Sequence, residues 1–376
     1  MKTHLVKLFS MILGVACTMQ SHSQIIPLRP ITTAVPFLRV APDARAGAMG
    51  DIGVASNPDA FSLFYNMGKV VFNEQKSGIG LNYTPWLREL ELKDVYMMAA
   101  SGFYKLDDEQ AITGGFRYFS QGTAQFTDDV GNNLNTYKPS DLAVEAGYSR
   151  KISSKSGLGV SLRYINSRIA NAAAGADYKT GSSVAADIGF FSSNKNANGQ
   201  GWNYGIALTN LGAKIGYTNN SQDKDYLPAN LGVGIGYSAV INEDNKVSFG
   251  LDINKLMVPT PPDGSNTDAV AKYKTQSVAS SWFKSFGDAP NGFSEELREF
   301  QLGLGAEYTY DDHFVLRAGY FSENQQKGNR RYATLGAGFI YKASQLNFSY
   351  LVPNNRLGNP GLSNTLRFSV VFNFKN

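Results

Sequence analysis

The sequence predicts an all-β fold, a transmembrane outer-membrane β-barrel of about 14 antiparallel strands with an N-terminal plug or hatch. Three observations support this class. Apolar and polar residues alternate through most of the chain after Gly78, the connections are short and long in turn, and no later apolar stretch reaches the length of a membrane-spanning helix. We expect a cleaved signal peptide at 1–23, a plug at 24–75 and the barrel at 76–376, with a long outer loop at 259–299.

The first residues have the pattern of an export signal. Lys2 and Lys7 form its charged region, and residues 8–19 form an apolar run that is too short to span a bilayer as a helix. The small residues at 21–23 suit the cleavage positions, so we expect the mature chain to begin at Gln24. Such a leader is consistent with a protein that is exported to the cell outer membrane.

Cys17 permits an alternative, a lipid-modified lipoprotein. However, Gly14 stands three positions before it, where leucine is usual, and the apolar run continues past the cysteine. With a cleaved signal, the mature chain has no cysteine and keeps only His313 of the three histidines. This composition argues against thiol chemistry, multi-histidine metal sites and histidine-based triads, so no catalytic residue, metal or cofactor is predicted.

Composition also limits the class of partner. The formal net charge of +4 falls to about +2 without Lys2 and Lys7, which is too weak to indicate nucleic-acid binding. The 38 glycines, 23 phenylalanines and 20 tyrosines suit a large sheet with aromatic girdles at the two membrane interfaces. Outer-membrane lipid, or detergent after extraction, is therefore the expected surrounding of the strands.

The last segment, 365–374, shows the alternation that predicts the strands. Its two faces are Leu366, Phe368, Val370, Phe372 and Phe374 on one side, and Thr365, Arg367, Ser369, Val371 and Asn373 on the other. Alone, this pattern would also suit a soluble sheet. It recurs, however, at 78–86, 94–105, 110–121, 140–152, 157–169, 181–193, 202–216, 228–241, 246–257, 299–310, 313–323, 332–343, 345–353 and 363–375.

The lengths of the connections favour a membrane barrel over a soluble β protein. The tight joints are 105–110, 152–157, 241–246, 310–313 and 342–345, and the long connections are 121–140, 169–181, 217–228 and 258–299. Outer-membrane barrels have short periplasmic turns and longer external loops, whereas a soluble sandwich has no reason to sort its loops in this way.

Charged residues recur on the polar faces and are expected to form a lumen charge network. They are Arg117, Glu145, Arg163, Asp187, Asp252, Glu307, Arg317 and Arg367. Two interpretations remain open: the charges neutralise one another across neighbouring strands, or they form a selectivity ring for an ion or solute. The first is favoured because no single sign dominates.

The loop at 259–299 contains a predicted helix from 277 to 286, with Trp282, Phe283 and Phe286 on one side. Ser294 is expected to cap a second helix that has glutamates in its first turn. The loop either folds over the barrel mouth or offers a docking surface, and both interpretations can hold together. The candidate partner-binding residues are Trp86, Trp282, Phe283, Phe286 and Phe293.

Residues 24–75 do not read as strands, because they contain five prolines and the run Ala-Gly-Ala-Met-Gly at 46–50. The stretches 41–54, 57–60 and 65–69 are similar to the hatch of the FadL-type outer-membrane transporters, and the residues that carry this motif are Arg45, Gly47, Gly50, Asn57, Asp59 and Asn66. The chain from 24 to 376 more closely resembles the PorV (LptO) family of the type IX secretion system.

The resemblance implies a carrier that binds the C-terminal signal domain of secreted cargo. Such a carrier accepts cargo from the SprA translocon, whose lateral opening it also plugs, and delivers it to an attachment complex that contains the PorU sortase. The runner-up is a FadL-type transporter of hydrophobic small molecules. A third class, a hydrolytic outer-membrane enzyme, would need an acid, a base and a nucleophile that converge, and His313 alone has no assignable partner. The expectation is a binding protein and not an enzyme.

Overall fold

The computed structural model describes residues 29–127, 130–169, 178–220, 224–262, 265–354 and 365–375. The predicted signal peptide, with Cys17, and the predicted mature start at Gln24 lie outside these residues, as do the first five positions of the predicted plug. None of the helices in the described ranges is long and apolar enough to cross a membrane.

Fourteen strands in the described ranges form a closed antiparallel barrel, which confirms the predicted fold class. The strands are β1 (Ser77–Pro85), β2 (Val95–Lys105), β3 (Gln110–Gln121), β6 (Ser140–Lys151), β7 (Ser156–Arg168), β8 (Gly181–Lys195), β9 (Gly201–Gly212), β12 (Asn230–Val240), β13 (Asn245–Leu256), β14 (Phe300–Tyr310), β15 (Phe314–Ser322), β16 (Arg331–Tyr341), β17 (Ser344–Pro353) and β18 (Leu366–Phe374). The ring closes where β1 pairs with β18, for example Leu81 with Val370.

Two short hairpins lie outside the ring and were not predicted. They are β4 (Ala124–Thr127) with β5 (Asn133–Tyr137), and β10 (Ile215–Gly216) with β11 (Lys224–Asp225). The predicted strand at 202–216 was therefore too long. Asn210 has a φ of 58°, and the register with β8 shifts between Ala186 and Ile188, so a bulge bends β9 before it ends.

All long connections lie at one end of the barrel. Turns of two to five residues join the strands at the other end, where β1 begins and β18 ends. Because outer-membrane barrels carry their longer loops on the external side, we call the long-loop end the outer end and the opposite end the inner end.

The side chains divide between the two faces of the wall. The outward face is a belt of exposed large apolar residues, and Leu162, for example, is 74% exposed. In β18, Phe368 and Phe372 are exposed, whereas Arg367 and Ser369 are almost fully buried. An apolar exterior and a polar interior are what a strand needs when it separates lipid from a polar lumen.

The segment 34–73, which we call the inner segment, lies inside the barrel. It contains the helix Ala44–Ala48 and the 3-10 helices Pro36–Arg39, Ser62–Phe64 and Met67–Phe72. Its hydrogen-bond partners come from opposite sides of the ring: Ser369 of β18, Asp252 of β13, Phe190 of β8 and Ser101 of β2. A short segment can contact all of these strands only from within the ring.

Candidate functional site

Four of the predicted lumen charges form one buried group, the wall cluster, on the adjacent strands β3, β6, β7 and β8. Arg163 Nε donates to Glu145 Oε2 over 2.9 Å, and Arg163 Nη2 donates to Asp187 Oδ2 over 2.6 Å. Arg117 Nη2 lies 3.5 Å from Glu145 Oε1, and Arg117 Nη1 donates to the carbonyl of Leu38 over 2.9 Å. The wall cluster therefore balances its own charges and also contacts the inner segment.

The other four predicted charges do not join this cluster. Glu307 accepts from Arg317 Nε over 2.7 Å and from Arg45 Nε over 2.9 Å. Asp252 accepts backbone N–H bonds from Gly53 and Val54, and Arg367 lies 3.6 Å from Asp51. The structure thus divides the expected network into separate groups, because the inner segment intervenes and supplies partners of its own.

The motif residues of the hatch hold the inner segment to the wall. Arg45 Nη1 lies 3.0 Å from Asp59 Oδ2 while its Nε contacts Glu307, so a single guanidinium joins the segment to β14. Asn57 Oδ1 accepts from Lys195 and Asn203, on β8 and β9. We call Arg45, Asp59, Glu307 and Arg317 the hatch cluster.

Asn66 and two glycines also allow the inner segment to pack closely against the wall. Asn66 Nδ2 donates to the carbonyls of Val54 and Phe190, each over 2.9 Å, while its Oδ1 caps the 3-10 helix that follows. Gly50 has a φ of 68°, and a Cβ placed on it would lie 2.5 Å from the carbonyl oxygen of Leu304. A Cβ on Gly47 would lie 2.6 Å from Arg367 Nη1. A larger residue at Gly50 would clash with backbone and strain the positive φ, whereas one at Gly47 would require the Arg367 side chain to shift.

The outer mouth holds a cavity of about 710 Å³, which we call the outer cavity. Both apolar and polar residues line it, and we call the polar group the floor. The apolar residues are Ile31, Pro36, Trp86, Leu87, Phe119 and Leu256, and the residues of the floor are Arg39, Glu299, Gln301, Glu323, Lys327 and Arg330. Pockets of about 300–1,000 Å³ commonly bind small ligands.

The three cations on the floor differ in their partners. Arg330 Nε donates to Glu323 over 2.8 Å, and Lys327 Nζ donates to Glu299 over 2.8 Å. Arg39 donates to the neutral Gln301 side chain over 3.2 Å and, within the described residues, forms no ion pair. Burial and the like charge of Arg330 lower the pKa of Arg39 to about 10, so the group remains a cation at neutral pH.

The inner end has a second, polar cavity of about 370 Å³. Arg45, Asp59, Glu307 and Arg317 line it, so the hatch cluster faces this inner cavity. The outer and inner cavities share no lining residue. The inner segment and its ion pairs lie between them, so the described part of the lumen offers no continuous apolar path.

Of the candidate partner-binding residues, only Trp86 lines the outer cavity, where its ring meets Phe119 at 5.8 Å. Trp282 is half-buried, and the Phe286 ring lies 5.3 Å from Lys255 Nζ. Phe283 is 80% exposed and Phe293 is 76% exposed. In the described structure, Phe283 on the short helix Val278–Lys284 faces solvent while Trp282 is half-buried, so the expectation that these aromatics pack on the rim or against a partner stays a prediction.

A buried group that we call the loop cluster anchors the long outer loop. Lys255 Nζ lies 2.7 Å from Glu296 Oε1 and 2.7 Å from Glu299 Oε2, and Lys327 Nζ lies 2.7 Å from Glu295 Oε1. The glutamates follow Gly292, which replaces Ser294 as the observed N-cap of the helix Phe293–Glu296. Glu295 and Glu296 lie in the first turn, as predicted; both are buried, and they hold the loop to the rim.

Asp288, Glu296 and Glu299 come close enough to hold a metal ion. However, Lys255 donates to Glu299 and forms an ion pair with Glu296, so an ammonium group supplies the positive charge. Burial and the nearby Glu299 and Glu296 raise the pKa of Asp288 to about 6, although the backbone N–H of Thr260 donates to it. These carboxylates act as loop anchors.

Sequence reasoning missed Lys255 and Arg39. Lys255 pairs with Leu231 and Phe300, which belong to the outward rows, so alternation alone points it toward lipid. Only the folded loop reveals its acidic partners. Arg39 lies in a proline-rich stretch without periodicity, and no pattern in the sequence marks it.

Comparison with known proteins agrees with this architecture. A family model described as "Type IX secretion system protein PorV" matches residues 23–263. None of the curated proteins matches the chain.

Solved structures share the fold at low identity. The toluene transporter TbuX of Ralstonia pickettii has a TM-score of 0.50 at 13% identity, covering 88% of this chain and 96% of its own. The toluene transporter TodX of Pseudomonas putida has a TM-score of 0.50 at 12% identity, with 93% and 99% covered. The monoaromatic hydrocarbon channel CymD has a TM-score of 0.51 at 12% identity, with 90% and 98% covered. At these identities the likeness concerns the barrel fold alone.

Proposed function

Because the chain belongs to the PorV family of type IX secretion system outer-membrane proteins, we propose that it is the carrier barrel of that system. It binds the C-terminal signal domain of secreted cargo, takes the cargo from the SprA translocon and carries it to the PorU-containing attachment complex. It is exported by a cleaved signal peptide, and residues 24–75 act as its plug.

The observation that carries this proposal is the asymmetry of the lumen. The outer cavity opens among the long loops, whereas the hatch and wall clusters fill the space beneath it with paired charges. A carrier of a folded domain needs an external receptacle and a closed barrel. Both features are present in the described residues.

The runner-up, a transporter of hydrophobic small molecules, needs an apolar route through the barrel. Beneath the outer cavity, the lumen instead presents Arg39, Arg117 and Arg163 around a central cavity of only about 70 Å³. Apolar solutes would meet buried ion pairs there, and separating such pairs costs several kcal/mol. The geometry therefore favours the carrier.

The proposed role is not enzymatic. His313 lies in the turn between β14 and β15 at the inner end, and its Nδ1 is 3.4 Å from the exposed Asp311 carboxylate. This pair lies at the opposite end of the barrel from the outer loops. The described residues around it include no nucleophile bonded to the imidazole.

The test is purification of the protein from its native outer membrane in mild detergent, followed by identification of the bound molecules. The proposal predicts exported proteins that share a C-terminal domain, together with the translocon. A preparation that is correctly folded on a heat-modifiability gel but carries only fatty acid would reject the carrier in favour of the transporter.

A further inference from the structure

Arg39 is a cation at the floor of the outer cavity, where an anionic ligand could reach it. Its side chain borders both the outer cavity and the central cavity, so it lies on the floor that separates them. The neighbouring cations Lys327 and Arg330 are already matched by Glu299 and Glu323. Arg39 is half-buried and donates to the neutral Gln301; the carboxylates of Glu323 and Asp51 act on it from a longer range, and within the described residues neither forms an ion pair with it.

The chemistry of the walls narrows the class of ligand. A guanidinium binds a carboxylate through two parallel N–H bonds, and a low-dielectric site strengthens that contact. The same cavity is lined by Trp86, Leu87 and Phe119, which suit apolar side chains. A molecule that fits both groups has an apolar body and ends in a carboxylate.

We propose that the outer cavity receives the C-terminal end of a polypeptide chain and that Arg39 binds its terminal carboxylate. The inference deepens the carrier function and rests on it. A cavity of about 710 Å³ admits a few residues and not a domain, so the rest of the signal domain stays outside, against the long loops.

Two backbone hydrogen bonds hold the edge of the cavity. The backbone N–H of Arg29 donates to the carbonyl of Gln326 over 2.8 Å, and that of Ala34 donates to the carbonyl of Tyr226 over 2.9 Å. The stretch 30–33 between these bonds lines the cavity and belongs to no helix or strand.

The experiment measures peptide binding to the full-length protein in detergent by fluorescence anisotropy. The probe is the last twelve residues of a signal domain that co-purifies with the protein, made once with a free terminal carboxylate and once as the C-terminal amide. We expect the free acid to bind at least about tenfold more tightly than the amide, since the amide loses a charge-assisted contact. Equal binding of the two peptides would overturn the inference.

Two substitutions and a control assign the effect to Arg39. Arg39→Gln should reduce binding of the acid to the level of the amide, and Arg39→Lys should retain part of the preference. Arg150→Gln makes the same change at an exposed site at the inner end and should leave binding unchanged. If Arg39→Gln binds the free acid as tightly as the unaltered protein does, Arg39 is not the anchor.

Oleate provides the competing source of a carboxylate. If oleate binds in an Arg39-dependent manner and the free-acid peptide does not bind, the cavity takes a fatty acid and the inference is wrong. Co-purification of whole signal domains, measured separately, reports on the carrier function. An intact carrier with no preference for the free acid therefore rejects only the inference.

Discussion

The wall cluster and the loop cluster both bury carboxylates against cations, but they do so in different settings. In the wall cluster, Arg163 stands between Glu145 and Asp187, and all three project from strands whose register is set by continuous backbone pairing. In the loop cluster, Lys255 projects from a strand, while Glu296 and Glu299 come from a loop that has no strand partners.

The two settings differ in how freely the clusters can move. Breaking the wall cluster would expose charge inside a closed barrel, so its partners are constrained on every side. The loop cluster can open without breaking any barrel pairing. Buried ion pairs therefore stabilise the barrel wall in the wall cluster, and in the loop cluster they hold a loop that can open.

The largest effect on stability is expected from Arg163→Met in the wall cluster. It leaves Glu145 and Asp187 buried with less compensation, and losing one partner of a buried pair costs about 3–5 kcal/mol. We expect a clearly lower temperature of barrel unfolding on heat-modifiability gels. Arg150→Met, at an exposed position, is the control. An unchanged unfolding temperature would show that the wall cluster does not brace the barrel.

Lys255→Met should loosen the loop and spare the barrel. A buried acceptor left without its donor costs about 1–3 kcal/mol, and we expect this cost to make opening of the loop easier. We expect faster tryptic cleavage after Lys272, Lys274 or Lys284, which are exposed.

The matched control for that change is Lys246→Met, on the same strand. Lys246 forms an exposed pair with Asp312 at 2.6 Å, which is worth about 0–1 kcal/mol. Cleavage rates should match those of the unaltered protein. If Lys255→Met lowers the barrel unfolding temperature as strongly as Arg163→Met does, the two clusters do not differ in the way we infer.

The loop should also respond to pH through Asp288. Its pKa is raised to about 6 in the closed loop, mainly by burial, so the closed loop binds a proton more readily than the open loop does. Closure should therefore strengthen as pH falls from 7 through about 6 toward 4, and weaken as pH rises. Hydrogen exchange of residues 278–299, corrected for intrinsic rates, measures this effect.

Asp288→Asn should remove that pH dependence. Glu296, Glu299 and Lys255 face the same group, and the pKa of Glu295 is lowered, with burial opposed by donation from Lys327 and Asn291. The contribution of Glu295 to loop closure is therefore lost only at a pH below the range in which Asp288 titrates. An unaltered pH response in Asp288→Asn would assign the effect to another group.

Phe283→Ser with Phe293→Ser should change stability by less than about 0.5 kcal/mol, because both rings are exposed. If the loop docks a partner, recovery of cargo or translocon on co-purification should fall. The more buried pair, Trp282→Ala with Phe286→Ala, should also spare barrel insertion but loosen the loop. If both variants recover cargo and translocon normally, the loop covers the barrel mouth and does not dock a partner.

The smallest effect is expected from His313→Gln. The side chain is half exposed in an inner turn, and in the described part of the chain its charged contact is with Asp311. Secretion and barrel folding should remain normal. A block in secretion with a folded, inserted barrel would contradict the non-enzymatic proposal.

The strands were predictable because alternation is a local property. Side chains on a strand point to opposite sides at every step, so Arg117 and Glu145 could be placed on the inward face from their own segments. Their pairing also followed, since neighbouring strands bring opposite charges together. The loop positions were less predictable: the N-cap expected at Ser294 lies at Gly292, because a short helix has no partner strand to fix where it begins.

By itself, the sequence determined the barrel class, the faces of its strands and the end that carries the long loops, since each depends on a period of two residues or on the spacing between segments. The contact between Arg45 and Glu307, the acidic loop over Lys255 and the position of Arg39 beside Gln301 follow only from the complete fold. Arg45 and Glu307 are 262 positions apart. Contacts of that range depend on how the whole ring closes around the inner segment, which no local pattern encodes.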